Sequence, residues 1–131
     1  MTASTRLALG LPRALGDRVQ LQQVMLNLLL NACEAVSSKR SGERMLTVST
    51  ALDGDGLLLT SIADRGSGIP SDMADRLFDA FFTTKPHGLG LGLSLCRSII
   101  ASHGGRLWAD NNPDGGATFT VALPAHSGEL S

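Results

Sequence analysis

From Asp17 to Ser38 the chain runs without a single Gly or Pro. Opened by an Asp that can cap a first turn, such a stretch reads as one long helix. Every other element must pack around it. The run Thr5 to Leu11 alternates weakly and reads as a short edge strand stopped by Pro12. Met45 to Leu52 and Leu57 to Ala63 are apolar and rich in strand formers. The Asp53-Gly54-Asp55-Gly56 between them is a strong hairpin signal. A short helix is expected over Ser71 to Phe78 and a loop over Phe81 to Gly92. A further helix is read over Leu93 to Ser102, closed by Gly104-Gly105. Strands follow at Arg106 to Ala109 and Ala117 to Leu123, separated by a turn at Asn111 to Gly116. The sum is an α/β two-layer sandwich: a mixed sheet of about five strands with three helices on one face. One domain of 131 residues is expected, with a core over 17–124 and a frayed tail over 125–131.

Composition removes several classes of function. Eleven Lys and Arg against twelve Asp and Glu give a net charge of −1, which argues against nucleic acid or an acidic membrane as partner. No stretch approaches the length of a membrane span, and the start lacks the apolar core of a signal peptide. Two cysteines, Cys33 and Cys96, do not make a disulfide scaffold. Reduced thiols in a cytoplasmic setting are the expectation.

Three groups of residues carry chemistry. On the long helix Gln20, Gln23, Asn27, Asn31, Glu34 and Ser38 share one stripe, while apolar residues cover most of the rest, so the helix is expected to be largely buried. The amides fit either a solvated face or a site, in which their oxygens suit a hard cation and their NH2 groups phosphate. Asp64, at the end of an apolar strand before Gly66 and Gly68, could cap its own turn or accept a hydrogen bond from an exocyclic amine such as that of adenine. Gly88, Gly90 and Gly92 run straight into a helix, with Lys85 at their entrance. They form either a plain connector or an anion site of backbone N–H groups and a helix N-terminus. The spacing is neither a dinucleotide fingerprint nor a P-loop.

Taken in order, Asn27-x-x-x-Asn31-Ala32, Asp64-x-Gly66-x-Gly68, Phe78-Asp79-Ala80-Phe81-Phe82, Gly88-Leu89-Gly90-Leu91-Gly92 and Gly115-Gly116-Ala117-Thr118-Phe119 resemble the boxes of the catalytic ATP-binding domain of sensor histidine kinases. That domain belongs to the superfamily shared with gyrase, heat-shock chaperone and mismatch-repair ATPases. The likeness extends over about Asp17 to Pro124, with a lid of the short type. It implies the Bergerat form of the mixed sheet, with ATP and Mg2+ as cofactors. Asn31 would ligate the metal, and Asn27 would touch phosphate or the metal's water shell. Asp64 would receive the adenine amino group beside Gly66 and Gly68, with Thr118 supporting it through water. Gly88, Leu89, Gly90, Leu91, Gly92 and Leu93 would form the lid and its apolar anchors, and Lys85 would neutralise phosphate charge. Phe81 and Phe82 would anchor the lid or a partner, and Glu34 is left as a solvated acid.

Two departures sharpen the reading. Hydrolysing relatives carry a Glu as general base four residues before the metal-binding Asn; here Asn27 stands there and cannot take a proton. Such a site should present its γ-phosphoryl to an external nucleophile. Arg65 stands where the family more often has Asn and is expected to face water. His87, His103 and His126 read as ordinary loop or surface residues, so the acceptor histidine is expected on a separate dimerisation hairpin upstream of Met1. The chain is then one domain of a longer kinase, monomeric when isolated, serving a response regulator receiver downstream. A stand-alone serine kinase of the anti-sigma type, a nucleotide-binding module without phosphotransfer and a hydrolysing ATPase are the alternatives.

Overall fold

The computed structural model describes residues 2–6, 18–35, 45–54, 56–66, 68–69, 78, 90–113 and 115–124; for 2–6, 18, 34–35 and 90–92 it describes the backbone alone. The elements run β1 (Thr2–Arg6), α1 (Arg18–Ala35), β2 (Met45–Leu52), β3 (Leu57–Asp64), α2 (Gly90–Ser102), β4 (Arg106–Asn111) and β5 (Ala117–Pro124). They form a sheet of order β1-β2-β3-β5-β4. The last four strands pair antiparallel, and β1 joins β2 in parallel, with α1 as the crossover between them.

Local chemistry accounts for most boundaries. Asp53 closes the β2–β3 hairpin twice over: its N–H donates to the Leu57 carbonyl at 2.9 Å and its Oδ1 accepts from the Leu57 N–H at 2.8 Å. At the end of α2 the Gly105 N–H donates to the Ile100 carbonyl at 2.9 Å and that of Gly104 to Ala101 at 3.0 Å. Gly104 itself sits at φ 75. This is the paired closure that two glycines after a helix favour.

Five boundaries differ from the sequence expectation. The edge strand begins at Thr2 rather than Thr5, because Thr2 to Arg6 lies in parallel register against Met45 to Ser49; residues 7–11 fall outside the described set. Strands β3, β4 and β5 run on to Asp64, Asn111 and Pro124. Helix α2 starts at Gly90, so the loop read over Phe81 to Gly92 gives way to helix in its last three residues. Glycine costs a helix interior about 1 kcal/mol. Packing of Leu93, Cys96, Ile99 and Ile100 further on holds the helix in place. The expected helix over Ser71 to Phe78 lies, apart from Phe78, outside the described residues, as do the tail from residue 125 and helix position Asp17.

The core lies between the sheet and the two helices. Val24, Leu28 and Ala32 of α1, and Cys96, Ile99 and Ile100 of α2, meet Leu46, Ile62, Leu107, Ala117, Phe119, Val121 and Leu123 from the sheet. On α1 this is a single i, i+4, i+8 stripe. The expectation that α1 is largely buried is therefore corrected. Val19, Leu26 and Leu30 lie on the opposite side, and Leu26 and Leu30 are 56% and 57% exposed. The sheet and α2 cover one side of the helix only. Among the described residues no helix is long and apolar enough to cross a membrane.

The orientation of α1 predicts a sharp contrast between two leucines two positions apart. Leu28→Ala should cost about 2–5 kcal/mol, and Leu30→Ala less than about 0.5 kcal/mol, measured as shifts of the urea midpoint at constant slope. Equal costs would mean that the helix presents another face to the sheet.

Candidate functional site

The last residue of β3 is Asp64, 2% exposed. A carboxylate so deeply buried needs donors, and the backbone supplies them. Its Oδ1 accepts from the Gly66 N–H at 2.8 Å and from the Ala117 N–H of β5 at 3.2 Å. Among the described residues none donates to Oδ2. The Asx-type turn through Gly66 and the role of acceptor for an outside donor are thus compatible, because each uses a different oxygen.

The turn between β4 and β5 wraps this aspartate from behind. Gly116 sits at φ 82, and a Cβ there would overlap the Asp64 carbonyl and come within 2.8 Å of the Arg65 Cα. Only glycine permits that approach. The Asn112 carboxamide donates to the Asp64 carbonyl at 3.2 Å and accepts from the Thr118 hydroxyl. Thr118 stands opposite Ala63 across the β3–β5 ladder, so its hydroxyl belongs to the same network as Asp64. Gly68, at φ 78, and Ile69 lie beyond the end of β3; the Asn111 side chain holds Ile69 by two hydrogen bonds, at 2.7 and 2.9 Å. Arg65 is exposed, as expected.

On the helical layer, α1 packs against α2 and against β3. Asn27 is half-buried between the helices, and its Nδ2 donates to the Cys96 Sγ at 3.6 Å. Cys96 is 0% exposed. Burial pushes its thiol above the ordinary value of 9.0, an effect that the Asn27 hydrogen bond opposes. Asn31, one turn further along α1, is half-buried too. Leu93 packs against the core. Phe78 meets Phe119 edge-on at 6.3 Å between centroids, with the Arg97 guanidinium 5.1 Å above its ring. His103 is a local feature: its Nδ1 lies 2.7 Å from the Ile99 carbonyl at the end of α2.

The structure thus gathers Asp64, Gly66, Gly68 and Thr118 at one end of the sheet. It ties Asn27 to the helix that Gly90 and Gly92 begin. Lys85, Gly88, Leu89, Phe81, Phe82, His87 and His126 lie outside the described residues, and Leu91 and Glu34 are described by their backbone alone. Among the described residues no cluster of three His, Cys, Asp or Glu could hold a metal. Three participants escaped sequence reasoning: Asn111, Asn112 and Cys96. The first two read only as turn formers, although two amides flanking a turn are also suited to bridging backbone. A cysteine on an apolar face gives no signal at all.

The family model described as histidine kinase-, DNA gyrase B- and HSP90-like ATPase matches residues 16–127. The chain is 48% identical over 116 residues to the sensor protein FixL of Bradyrhizobium diazoefficiens, a match covering 88% of the chain but 23% of FixL. Among solved structures, the catalytic domain of histidine kinase ThkA superposes with a TM-score of 0.81 at 32% identity, over 94% of this chain and 78% of that one. Histidine kinase ThkA in complex with the response regulator protein TrrA gives 0.76 at 30% identity, over 95% of this chain and 34% of that one.

Two predictions follow from this geometry. Gly116→Ala should cost at least about 3 kcal/mol, since left-handed strain and overlap with the Asp64 carbonyl add together. Gly115→Ala, at φ 109 with no atom within 4 Å of the new Cβ, should cost only about 1–2 kcal/mol. Denaturant titrations of the two variants decide between strain alone and close approach. The Cys96 thiol, held protonated in the folded state, contributes stability that is fully present below pH 9.0 and is lost as pH rises through its raised folded value. Unfolding free energies should therefore fall above pH 9.0 in the wild type, and this part of the fall should be absent from Cys96→Ala.

Proposed function

The chain belongs to the family of histidine kinase-, DNA gyrase B- and HSP90-like ATPases, and we propose that it binds Mg-ATP and donates the γ-phosphoryl to a histidine on a separate dimerisation hairpin of a two-component sensor kinase. The observation that carries this is Asp64: a buried carboxylate with one oxygen held by two backbone N–H groups and the other without a donor among the described residues. An exocyclic amine is the donor that completes it. Adenine offers that amine on a flat ring, and Gly68 is assigned to the backbone that the ring approaches. Thr118 and Asn112 sit in the same hydrogen-bond network as the aspartate, which fits support of the ring through water.

At the other end of the nucleotide, Asn31 is assigned as the protein ligand to Mg2+. A hard cation that keeps most of its shell as phosphate and water needs one or two protein oxygens, not a cage of side chains. Bound there, Mg2+ supplies charge neutralisation on the triphosphate. Asn27 spends one N–H of its NH2 group on Cys96, which leaves its oxygen and its second N–H for the metal's water shell or a phosphate. Lys85 is assigned to the phosphates, and Gly88, Leu89, Gly90, Leu91, Gly92 and Leu93 to the lid over them.

What the chain does chemically is then to hold and orient. Asn27 cannot accept a proton from water, so hydrolysis lacks a base and the γ-phosphoryl awaits a nucleophile from outside. Likeness to FixL and ThkA supports a histidine as that nucleophile and weighs against a stand-alone serine kinase. The ThkA structure with TrrA supports a response regulator receiver as the next acceptor. The isolated domain is read as a cytoplasmic monomer that transfers nothing until its hairpin is supplied.

Calorimetric titration with ADP, with and without Mg2+, tests the reading directly. The wild type should bind saturably, and Asp64→Asn should weaken binding at least about tenfold, since its NH2 group faces the adenine amine. With a hairpin domain and ATP, acid-labile phosphohistidine should form. Unchanged ADP affinity in Asp64→Asn would overturn the placement of adenine.

A further inference from the structure

We infer that Asn111 is a positioning residue for nucleotide binding, holding the Gly68–Ile69 backbone in the place that the base requires. The inference rests on the nucleotide reading of Asp64 and extends it to a residue from a different part of the chain. Strand β3 ends at Asp64, its pairing with β5 ends at Ala63, and the last tie to β2 is the Arg65 N–H on the Met45 carbonyl at 3.3 Å, so no sheet ladder holds Gly68 and Ile69. The Asn111 side chain holds Ile69 instead. The Asn111 Oδ1 accepts from the Ile69 N–H at 2.7 Å, and its Nδ2 donates to the Ile69 carbonyl at 2.9 Å. Both backbone polar groups of one residue are thereby met by one carboxamide, which acts as a single step of missing strand.

The anchor is itself well placed. Asn111 is the last residue of β4 and pairs with Ala117, whose N–H donates to Asp64. Its neighbour Asn112 holds the Asp64 carbonyl. Adjacent amides thus fix the segment from Asp64 to Ile69 at both ends. The approach is close: a Cβ on Gly68 would lie 3.0 Å from the Asn111 Oδ1. Gly68 must therefore lack a side chain to admit Asn111, a requirement separate from any approach of the base. Ile69 in turn packs against the core, so the carboxamide and the apolar contact pin the same residue from two sides.

The test uses Asn111→Ala and Asn111→Asp in the full chain, with ADP and Mg2+ titrations and amide exchange followed by NMR. Asn111→Ala should weaken ADP binding about tenfold, as expected for two lost hydrogen bonds. Exchange at the Ile69 amide should rise at least about tenfold, while the Gly66 and Ala117 amides, bonded to Asp64, keep their protection. In Asn111→Asp the acceptor remains but the donor is lost while the new carboxyl is ionised. Protonation restores an O–H that can donate to the Ile69 carbonyl. The affinity deficit of Asn111→Asp relative to wild type should thus shrink between pH 7 and about pH 4.5, whereas that of Asn111→Ala should not. This pH arm also carries the test if Asn111→Ala fails to fold. Wild-type ADP affinity in Asn111→Ala, or a pH-independent deficit in Asn111→Asp, would overturn the role while leaving the Asp64 site in place. A wild type that binds no ADP removes the nucleotide reading, and this role with it.

Discussion

A buried carboxylate governs the architecture around it. Taking Asp64 out of water costs several kcal/mol unless its oxygens find donors. The protein meets that demand with two backbone N–H groups from separate places in the chain, Gly66 just after β3 and Ala117 at the start of β5. A hydrogen bond to a charged group is worth about 1.5–3 kcal/mol, so the pair can offset most of the burial. Among the described residues nothing donates to the second oxygen, Oδ2. The two donors also dictate topology: β3 and β5 must be neighbours, as the sheet order has them, although α2 and β4 separate them in sequence.

From that constraint the β4–β5 turn acquires its composition. Gly116 has to pass against the Asp64 backbone, which no side chain allows. Asn112 compensates the Asp64 carbonyl that this crossing leaves beyond the ladder, and Thr118 in turn supplies a donor to Asn112. Apart from Asp64 Oδ2, each polar group of this network has its need met by the next, which is how a buried polar network stays favourable. The turn is therefore a wall of the site rather than a mere link between strands.

How much of this was legible follows from the range of each interaction. The β2–β3 hairpin and the closure of α2 are local: Asp53 and Gly104-Gly105 act within a few residues, and their chemistry is visible in the sequence. Asp64 was legible as an acid at a strand end before two glycines. Contacts across the chain were not. Asn111 and Ile69 stand 42 positions apart, and Asn27 and Cys96 stand 69 apart; turn propensity and helical periodicity are silent on such pairs. The exposure of Leu26 and Leu30 was misjudged for a similar reason, since apolar count on a helix does not say how many neighbours cover it. The parallel pairing of β1 was likewise beyond reach, because period-two alternation does not tell which strand lies alongside.

On the proposed reading, the two layers divide the work in a way that suits transfer better than hydrolysis. The sheet end is cross-tied through Asp64, Asn111 and Asn112, and the proposed reading assigns it to a flat donor-bearing ring. At its contact with α2, helix α1 contributes Asn27, whose NH2 group donates to the buried Cys96 thiol. An amide held in that way orients without exchanging protons. Under the proposed function such a site would lower a barrier by positioning and by charge, with its rate set by a nucleophile delivered to a preset geometry. On that reading, precision in the ring-binding end would carry through the length of the nucleotide to its far phosphoryl group. On this view the cross-ties behind Asp64 serve transfer as much as affinity.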